Sequence, residues 1–114
     1  RRLGDPVGAE RLYLEGTQLC RETNNLTSLS YTLHGLGEVS LDRSEPETAL
    51  TYLRESISLR HQMSDRPELA ISLRTIGIAH MQLGNAAMAA RLFAAGERLH
   101  GLAKDGRGGG HEEK

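Results

Sequence analysis

Residues 69–96 read LAISLRTIGIAHMQLGNAAMAARLFAAG, and they follow the pattern of residues 29–56, LSYTLHGLGEVSLDRSEPETALTYLRES, at a shift of 40 positions. The residues that recur are apolar or small, and the clearest pairs are Leu33 and Leu73, Gly37 and Gly77, and Ala49 and Ala89. The polar residues between them vary. Recurrence confined to apolar and small residues is typical of packing in a repeat array. The chain holds about two and a half such periods.

Within each period the apolar residues step by three and four positions, which is the spacing of a helix with one buried face. Residues that can cap a helix N-terminus stand before each apolar stripe; they are Asp5, Asn25, Ser44, Asp65 and Asn85. Three prolines fall in first turns, where a missing N–H removes no helical hydrogen bond. The sequence therefore predicts five helices, near residues 6–22, 26–43, 45–63, 67–83 and 86–103.

The predicted links between these helices are only a few residues long, so consecutive helices have to run antiparallel. Glycine inside a helix costs roughly 1 kcal/mol relative to alanine, so the recurrence of Gly37 and Gly77 indicates close helix contacts. No segment alternates with a period of two. The predicted fold is all-α, an α-α superhelix or solenoid of five antiparallel helices with a 40-residue period.

The sequence also predicts where the repeat domain ends. The domain covers residues 4–103, and residues 104–114 form a glycine-rich tail. The stretch Asp105 to Gly110 contains four glycines and no apolar residue. Ordering that stretch would cost backbone entropy that no burial offsets, so we expect a disordered tail.

Composition narrows the functional classes. The 114 residues carry 14 Lys and Arg against 15 Asp and Glu, a net charge of −1, which argues against direct binding to nucleic acid or to a membrane surface. A single cysteine, Cys20, cannot form an intramolecular disulfide, so we expect a reducing, cytoplasmic location. Because the chain opens on Arg1 without an initiator methionine, we expect a piece of a longer protein.

Patterns typical of catalysis are missing from the sequence. The five histidines lack the spacing of metal hydrolases, and no glycine-rich loop precedes a Lys-Ser or Lys-Thr pair. Cys20 lies on an apolar stripe, which predicts a buried, unreactive thiol. We therefore expect no catalytic residue, no metal, no cofactor and no enzymatic activity. The weaker enzymatic interpretation is a small helical hydrolase that uses His34 or His80.

The order of large and small residues in each unit resembles the tetratricopeptide repeat (TPR) family. The matching positions are Leu33, Leu36, Gly37, Ser44, Ala49, Leu53 and Ser56 in one unit, and Leu73, Ile76, Gly77, Gly84, Ala89, Phe93 and Gly96 in the next. That family has a period of about 34 residues. We attribute the longer period here to a longer link near residues 64–69 and to longer helix ends.

A narrower resemblance comes from residues 83–99, LGNAAMAARLFAAGERL. This run is similar to the closing repeats of large bacterial regulators with an ATPase core, the LuxR-type proteins and their relatives. The resemblance implies the C-terminal repeat region of a bacterial signalling or transcriptional regulator.

The TPR resemblance also implies a binding surface. In that family the first helix of each pair lines the concave face, which grips peptides and partner helices. The corresponding groove positions here are Tyr31, His34, Glu38, Leu41, Asp42, Ile71, Arg74, Ile78, Met81 and Gln82. Ile71, Ile78 and Met81 form an apolar strip at helical spacing, and this predicts a scaffold that binds a partner's helix or hydrophobic segment.

Two further interpretations stay open. The groove side chains could pack within the solenoid or against neighbouring repeats, so that the repeats only brace adjacent domains of an ATPase-type regulator and bind no partner in trans. The first helix presents Leu12, Tyr13 and Leu14 without a preceding hairpin to receive them. We therefore expect self-association through exposed repeat edges.

Overall fold

A computed structural model describes residues 5–109 of the chain, with side chains for residues 5–101. The described chain consists of five α-helices, which are α1 (Pro6–Glu22), α2 (Leu26–Asp42), α3 (Pro46–Gln62), α4 (Arg66–Gln82) and α5 (Ala86–Gly109). No strand occurs in this range, so the predicted all-α helical array is confirmed. Within the same residues, no helix has both the length and the apolar character needed to cross a membrane.

The observed helix bounds agree with the predicted bounds to within one residue, except at the end of α5. That helix continues through Gly109, beyond its predicted end at residue 103, and the disorder expected of residues 104–114 stays a prediction. Extending a helix that has already formed adds one hydrogen bond for each residue fixed, which is far easier than starting a new helix. Residues 110–114 of the predicted tail, and residue 4 of the predicted domain, lie outside the described residues.

Each of the four loops has three residues and turns on one residue with a positive φ. These residues are Asn24 (55°), Ser44 (60°), Ser64 (54°) and Gly84 (79°). In the second loop, the N–H of Ser44 donates to Leu41 O (2.9 Å) and the N–H of Glu45 donates to Ser40 O (2.8 Å). This pair of bonds is a Schellman motif, and the same pair recurs in the other three loops.

Two details of the sequence prediction are wrong at these loops. Ser44 is not the N-cap of α3, because its backbone takes the left-handed conformation that closes α2. Glu45 is the N-cap residue instead, and its longer side chain makes no capping hydrogen bond. The link that contains Ser64 is also no longer than the others. Instead, the 40-residue period arises because helices α1 to α4 have 17 residues each.

The helices form two layers. Each helix packs against the next, and α2 also contacts α4, whereas α1 does not approach α3 and α3 does not approach α5 as closely in the described residues. The inner layer is therefore α2 and α4, and the outer layer is α1, α3 and α5. We call the exposed side of α2 and α4 the concave surface.

Aliphatic residues from both layers build the core. One buried cluster joins Cys20, Leu29, Leu33, Leu36 and Leu59, and Tyr13, Tyr52 and Met63 pack against it. The burial of the Cys20 thiol is as predicted. A second cluster joins Leu41, Ala49, Leu50, Leu53 and Ala79. Close contact between helices thus builds a core from a chain in which only 4% of the residues are aromatic.

The recurring glycines lie where two helices come closest. A Cβ added at Gly37 would lie 2.6 Å from Leu53 Cγ, and Leu53 is fully buried. A Cβ added at Gly77 would lie 2.6 Å from Phe93 Cε1. Both distances are too short for real carbon contacts, so no other residue fits at either position without displacing its neighbour.

An ion pair connects the two outer helices α1 and α3. Arg21 donates to both carboxylate oxygens of Glu55, at 2.7 and 2.9 Å. These hydrogen bonds hold the pKa of Glu55 below its ordinary value and raise the pKa of Arg21. Both side chains are partly exposed, so the pair contributes at most about 1 kcal/mol to stability.

We predict that Gly77→Leu lowers the free energy of unfolding by about 3 kcal/mol or more, because the new side chain has to displace Phe93. The measurement is urea unfolding followed by circular dichroism. Gly101→Leu is the matched control, since a Cβ at Gly101 meets no atom within 4 Å. This control is expected to keep or raise the stability. Equal stability of the Gly77→Leu and wild-type proteins would contradict the close-packing interpretation.

We further predict that Glu55→Gln is slightly less stable than wild type near neutral pH, by no more than about 1 kcal/mol. Because folding lowers the pKa of Glu55, its contribution is complete above the unfolded pKa of about 4.3 and is lost as the pH falls through the lower, folded value. The stability difference between the two proteins should therefore shrink below pH 4.3. A difference that stays constant into strong acid would show that Arg21 does not stabilise the charged carboxylate.

Candidate interaction surface

Seven of the ten predicted groove residues line two adjoining depressions on the concave surface. The large concave depression has a volume of about 460 Å³ and is lined by Glu38, Ile71, Arg74, Thr75, Ile78, Phe93 and Glu97. The small concave depression has a volume of about 150 Å³ and is lined by Glu38, Leu41, Asp42, Thr75, Ile78 and Gln82. Residues common to both depressions make them one continuous surface across α2, α4 and α5.

The other three predicted residues take different positions. Met81 is 55% exposed on α4, and Tyr31 is half exposed on α2. His34 is buried, because side chains of α3 and α4 cover its ring. Leu41 is also buried in the core, although it contributes to the floor of the small concave depression. His34 and Leu41 are thus mostly covered, and the role of the ten groove residues in binding stays a prediction.

A buried arginine that the sequence analysis did not single out connects three helices beneath this surface. The side chain of Arg60 on α3 is only 1% exposed. Its Nη1 donates to Ser72 Oγ at 2.7 Å and lies 3.2 Å from His34 Nδ1, and its Nη2 lies 3.4 Å from Glu68 Oε1. The guanidinium carbon lies 5.3 Å from the ring centroid of Tyr31, within the range of a cation–π interaction. Arg60 thus ties α3 to both helices of the inner layer.

The Arg60 contact assigns the tautomer of His34. Arginine can only donate hydrogen bonds, so Nδ1 of His34 has to accept and Nε2 carries the proton. Nε2 lies 3.5 Å from both Thr75 Oγ1 and Glu38 Oε2. The Thr75 hydroxyl donates to Ile71 O at 3.0 Å, which leaves its oxygen free to accept. A polar chain therefore runs from Arg60 to the backbone under the large concave depression.

Burial and neighbouring charges oppose each other at this network. Burial lowers the pKa of Arg60, while the nearby carboxylate of Glu68 raises it. Tyr31 donates its hydroxyl to Glu68 Oε2 at 3.1 Å, and that hydrogen bond raises the pKa of Tyr31. Since Arg60 stays charged at neutral pH, its burial costs free energy that its surrounding acceptors have to offset.

One feature of the sequence indicates that Arg60 is buried. A shift of 40 positions aligns Arg60 with Cys20, which is buried in the core of the first unit. A charged residue at a position that packs in the equivalent unit indicates a buried charge with partners. Three further lining residues, Thr75, Phe93 and Glu97, were also missed. Phe93 both packs on Gly77 and lines the large concave depression.

The structure shows how this array receives a helix on its inner face. The polar contacts of α4 with α2 include Tyr31 Oη to Glu68 Oε2 (3.1 Å), His34 Nε2 to Thr75 Oγ1 (3.5 Å) and Gln82 Nε2 to Leu41 O (3.0 Å). A shift of 40 places Ile71, Arg74 and Met81 at the equivalent positions of α4. All three are exposed. The place that α4 occupies on α2 and α3 therefore recurs on α4 and α5, where no described helix fills it.

The chemistry of this open face is mixed. Aliphatic side chains of α4 line the large concave depression together with Arg74, Glu38 and Glu97. In the described chain, no group of three or more His, Cys, Asp or Glu side chains is arranged to hold a metal ion. The face offers apolar area for burial and charges that can orient a bound segment.

Comparisons with known proteins do not identify relatives of this chain. No protein-family model, no curated protein and no solved structure matched it. The resemblances to TPR proteins and to bacterial regulators therefore rest on the sequence pattern alone.

We predict that Arg60→Ala lowers the free energy of unfolding by roughly 2–4 kcal/mol, because it leaves a cavity and removes the donor to Ser72 and His34. Arg60→Lys should recover only part of the lost stability, since an ammonium group cannot reproduce the planar guanidinium and its several donors. Urea unfolding measures both effects. Arg54→Ala on the same helix is the control, because Arg54 is exposed and its loss should change stability by less than about 0.5 kcal/mol. Equal effects of the two alanine variants would contradict the role given to Arg60.

Proposed function

We propose that this chain is a non-enzymatic protein-interaction scaffold of the TPR type, whose concave surface binds a helix or peptide of a partner protein. One observation carries the proposal. The packing site that α4 fills on α2 and α3 is repeated on α4 and α5, and its residues Ile71, Arg74 and Met81 are exposed there. A partner helix placed as α4 is placed would use a binding mode that the array already contains.

The exposed side chains account for both affinity and orientation. Ile71, Ile78 and Met81 are 41%, 45% and 55% exposed, so covering one of them contributes roughly half of the about 1.5–3 kcal/mol gained when such a side chain is buried from full exposure. Part of that gain is lost to the entropy of association, so moderate affinity is expected. Arg74 and Glu97 lie at the same depression and would favour partners with complementary charges.

The buried network beneath the surface supports recognition by a preformed site. Arg60 and His34 connect α2, α3 and α4 through hydrogen bonds inside the core. Helices joined in this way lose little freedom when a ligand binds, and this preorganisation improves affinity.

The proposal extends to the cellular context. The resemblance of residues 83–99 to the closing repeats of LuxR-type regulators supports a place in a bacterial signalling or transcriptional regulator. The single cysteine and the balanced charge support a cytoplasmic location without direct nucleic-acid contact.

A structural role is the second candidate, and the same open face favours it. A further helix or domain of the same protein could pack on Ile71, Arg74 and Met81, as α4 contacts their equivalents Tyr31, His34 and Leu41 on α2. The repeats would then brace adjacent domains and bind nothing in trans. Sensitivity of peptide binding to the concave residues separates the two roles.

We predict that selection from a displayed peptide library enriches peptides with apolar residues at helical spacing, and that Ile78→Asp and Arg74→Ala each weaken their binding at least tenfold. Fluorescence anisotropy with the enriched peptides measures the affinities, and circular dichroism checks that each variant keeps its helices. Arg54→Ala is the matched control for Arg74→Ala, and it should bind as wild type does. If no peptide is enriched, or if the concave variants bind unchanged, the structural role is correct instead.

A further inference from the structure

A second apolar surface lies on the outer side of the array, away from the concave depressions. It consists of two adjoining cavities, one lined by residues of α3, α4 and α5 and the other by residues of α4 and α5. One has a volume of about 520 Å³ and is lined by Ile57, Ser58, His61, Leu69, Leu73 and Leu99. The other has a volume of about 240 Å³ and is lined by Leu73, Ala95, Arg98 and Leu99. We call the two together the outer groove.

The first unit of the array contains a closed counterpart of the outer groove. Leu29, Leu33 and Leu59 are the equivalents of Leu69, Leu73 and Leu99 at a shift of 40, and they are buried at 4%, 1% and 8% exposure. The leucines of the outer groove are all more exposed than these. The same aliphatic floor is therefore covered in one unit and open in the other.

The residues that span the groove also differ between the two units. In the first unit Arg21 and Glu55 form an ion pair between the outer helices. The equivalent residues at the outer groove are His61 and Ala95, which cannot form that pair. The outer groove thus keeps a basic group on α3 but lacks the carboxylate on α5.

Among the residues whose side chains the structure describes, the ionisable residues in the lining of the outer groove are His61 and Arg98, and none of the lining residues is a carboxylate. An occupant that completes the groove should therefore bring aliphatic side chains together with carboxylates.

Helix α1 of the chain carries these two features on one exposed face. Leu12 and Leu19 are 67% and 60% exposed, and Glu15 and Glu22 are exposed between and beside them. These four residues are spaced i, i+3, i+7 and i+10, so they form one stripe along the helix. We call them the α1 stripe. Tyr13, expected from the sequence at the same edge, packs on the core instead.

We propose that the α1 stripe of one copy docks in the outer groove of a second copy. Leu12 and Leu19 then cover the aliphatic floor, and Glu15 and Glu22 lie near His61 and Arg98. This arrangement supplies the apolar cover and the negative charge that the groove lacks. Because the two surfaces differ, the contact is heterologous and builds head-to-tail assemblies rather than only a twofold dimer.

Pairing between identical surfaces is disfavoured by charge. Two α1 stripes placed face to face would bring the carboxylates of Glu15 and Glu22 together, and two outer grooves would bring Arg98 against Arg98. Like charges in an interface cost free energy, whereas the heterologous contact pairs opposite charges. The concave surface takes no part in this contact, so the inference is independent of the proposed function.

Complementary variants of the whole chain test this contact. Leu19→Lys disables the α1 stripe, and the double substitution His61→Arg with Ala95→Glu recreates the ion pair that closes the groove. Sedimentation velocity over a concentration series should show that wild type assembles and that each variant alone dissociates at least ten times more readily. An equimolar mixture of the two variants retains one intact stripe and one intact groove, and it should form a 1:1 dimer.

Leu14→Lys is the matched control, because Leu14 is an exposed leucine of α1 outside the stripe, and this variant should assemble as wild type does. Circular dichroism confirms that every variant keeps its helices. A wild-type chain that stays monomeric at millimolar concentration overturns the inference. So does assembly that Leu19→Lys leaves unchanged, or a mixture of the two variants that stays monomeric.

Discussion

Each of the first four helices closes in a Schellman motif whose last residue is already the N-cap position of the next helix. Because each loop has three residues and each of the first four helices has 17, every helix begins 20 residues after the one before it. The register between neighbouring helices is then the same along the array. It places Gly37 against Leu53 and Gly77 against Phe93, 16 positions apart in each case. The tight helix contacts, and hence the core, depend on this fixed step.

Much of the fold could be predicted because its determinants are local and repeated. The three- and four-residue steps of the apolar stripes set the helices and their buried faces, and side-chain caps such as Asn25 and Asp65 mark where helices begin. The turn residues were harder to assign. A glycine such as Gly84 indicates a left-handed backbone position, because glycine adopts a positive φ easily. A serine such as Ser44 is equally suited to an N-cap, so only the backbone of the structure shows that Ser44 ends α2 and that Glu45 is the N-cap of α3.

The candidate site could be predicted only in part, because exposure depends on neighbours distant in sequence. His34 and Arg74 occupy equivalent positions of α2 and α4, yet the first is covered and the second is open. The apolar spacing within α2 does not indicate that Thr75 of α4 lies over His34. The burial of Arg60 was even harder to predict, because its partners lie on α2 and α4 and it is enclosed only when three helices have packed together.

A comparison of the two units separates residues that packing requires from residues that it does not, because the units pack alike but differ at a few positions. Residues required for the fold recur, as Gly37 and Gly77 do, and changing them tests stability. Residues that depart from the repeat carry charges or gaps that packing does not require, as at His61 and Ala95 in place of Arg21 and Glu55. Any binding specificity of this array has to come from the residues that depart from the repeat. Substitutions at such positions can alter binding while the helices and their contacts stay intact.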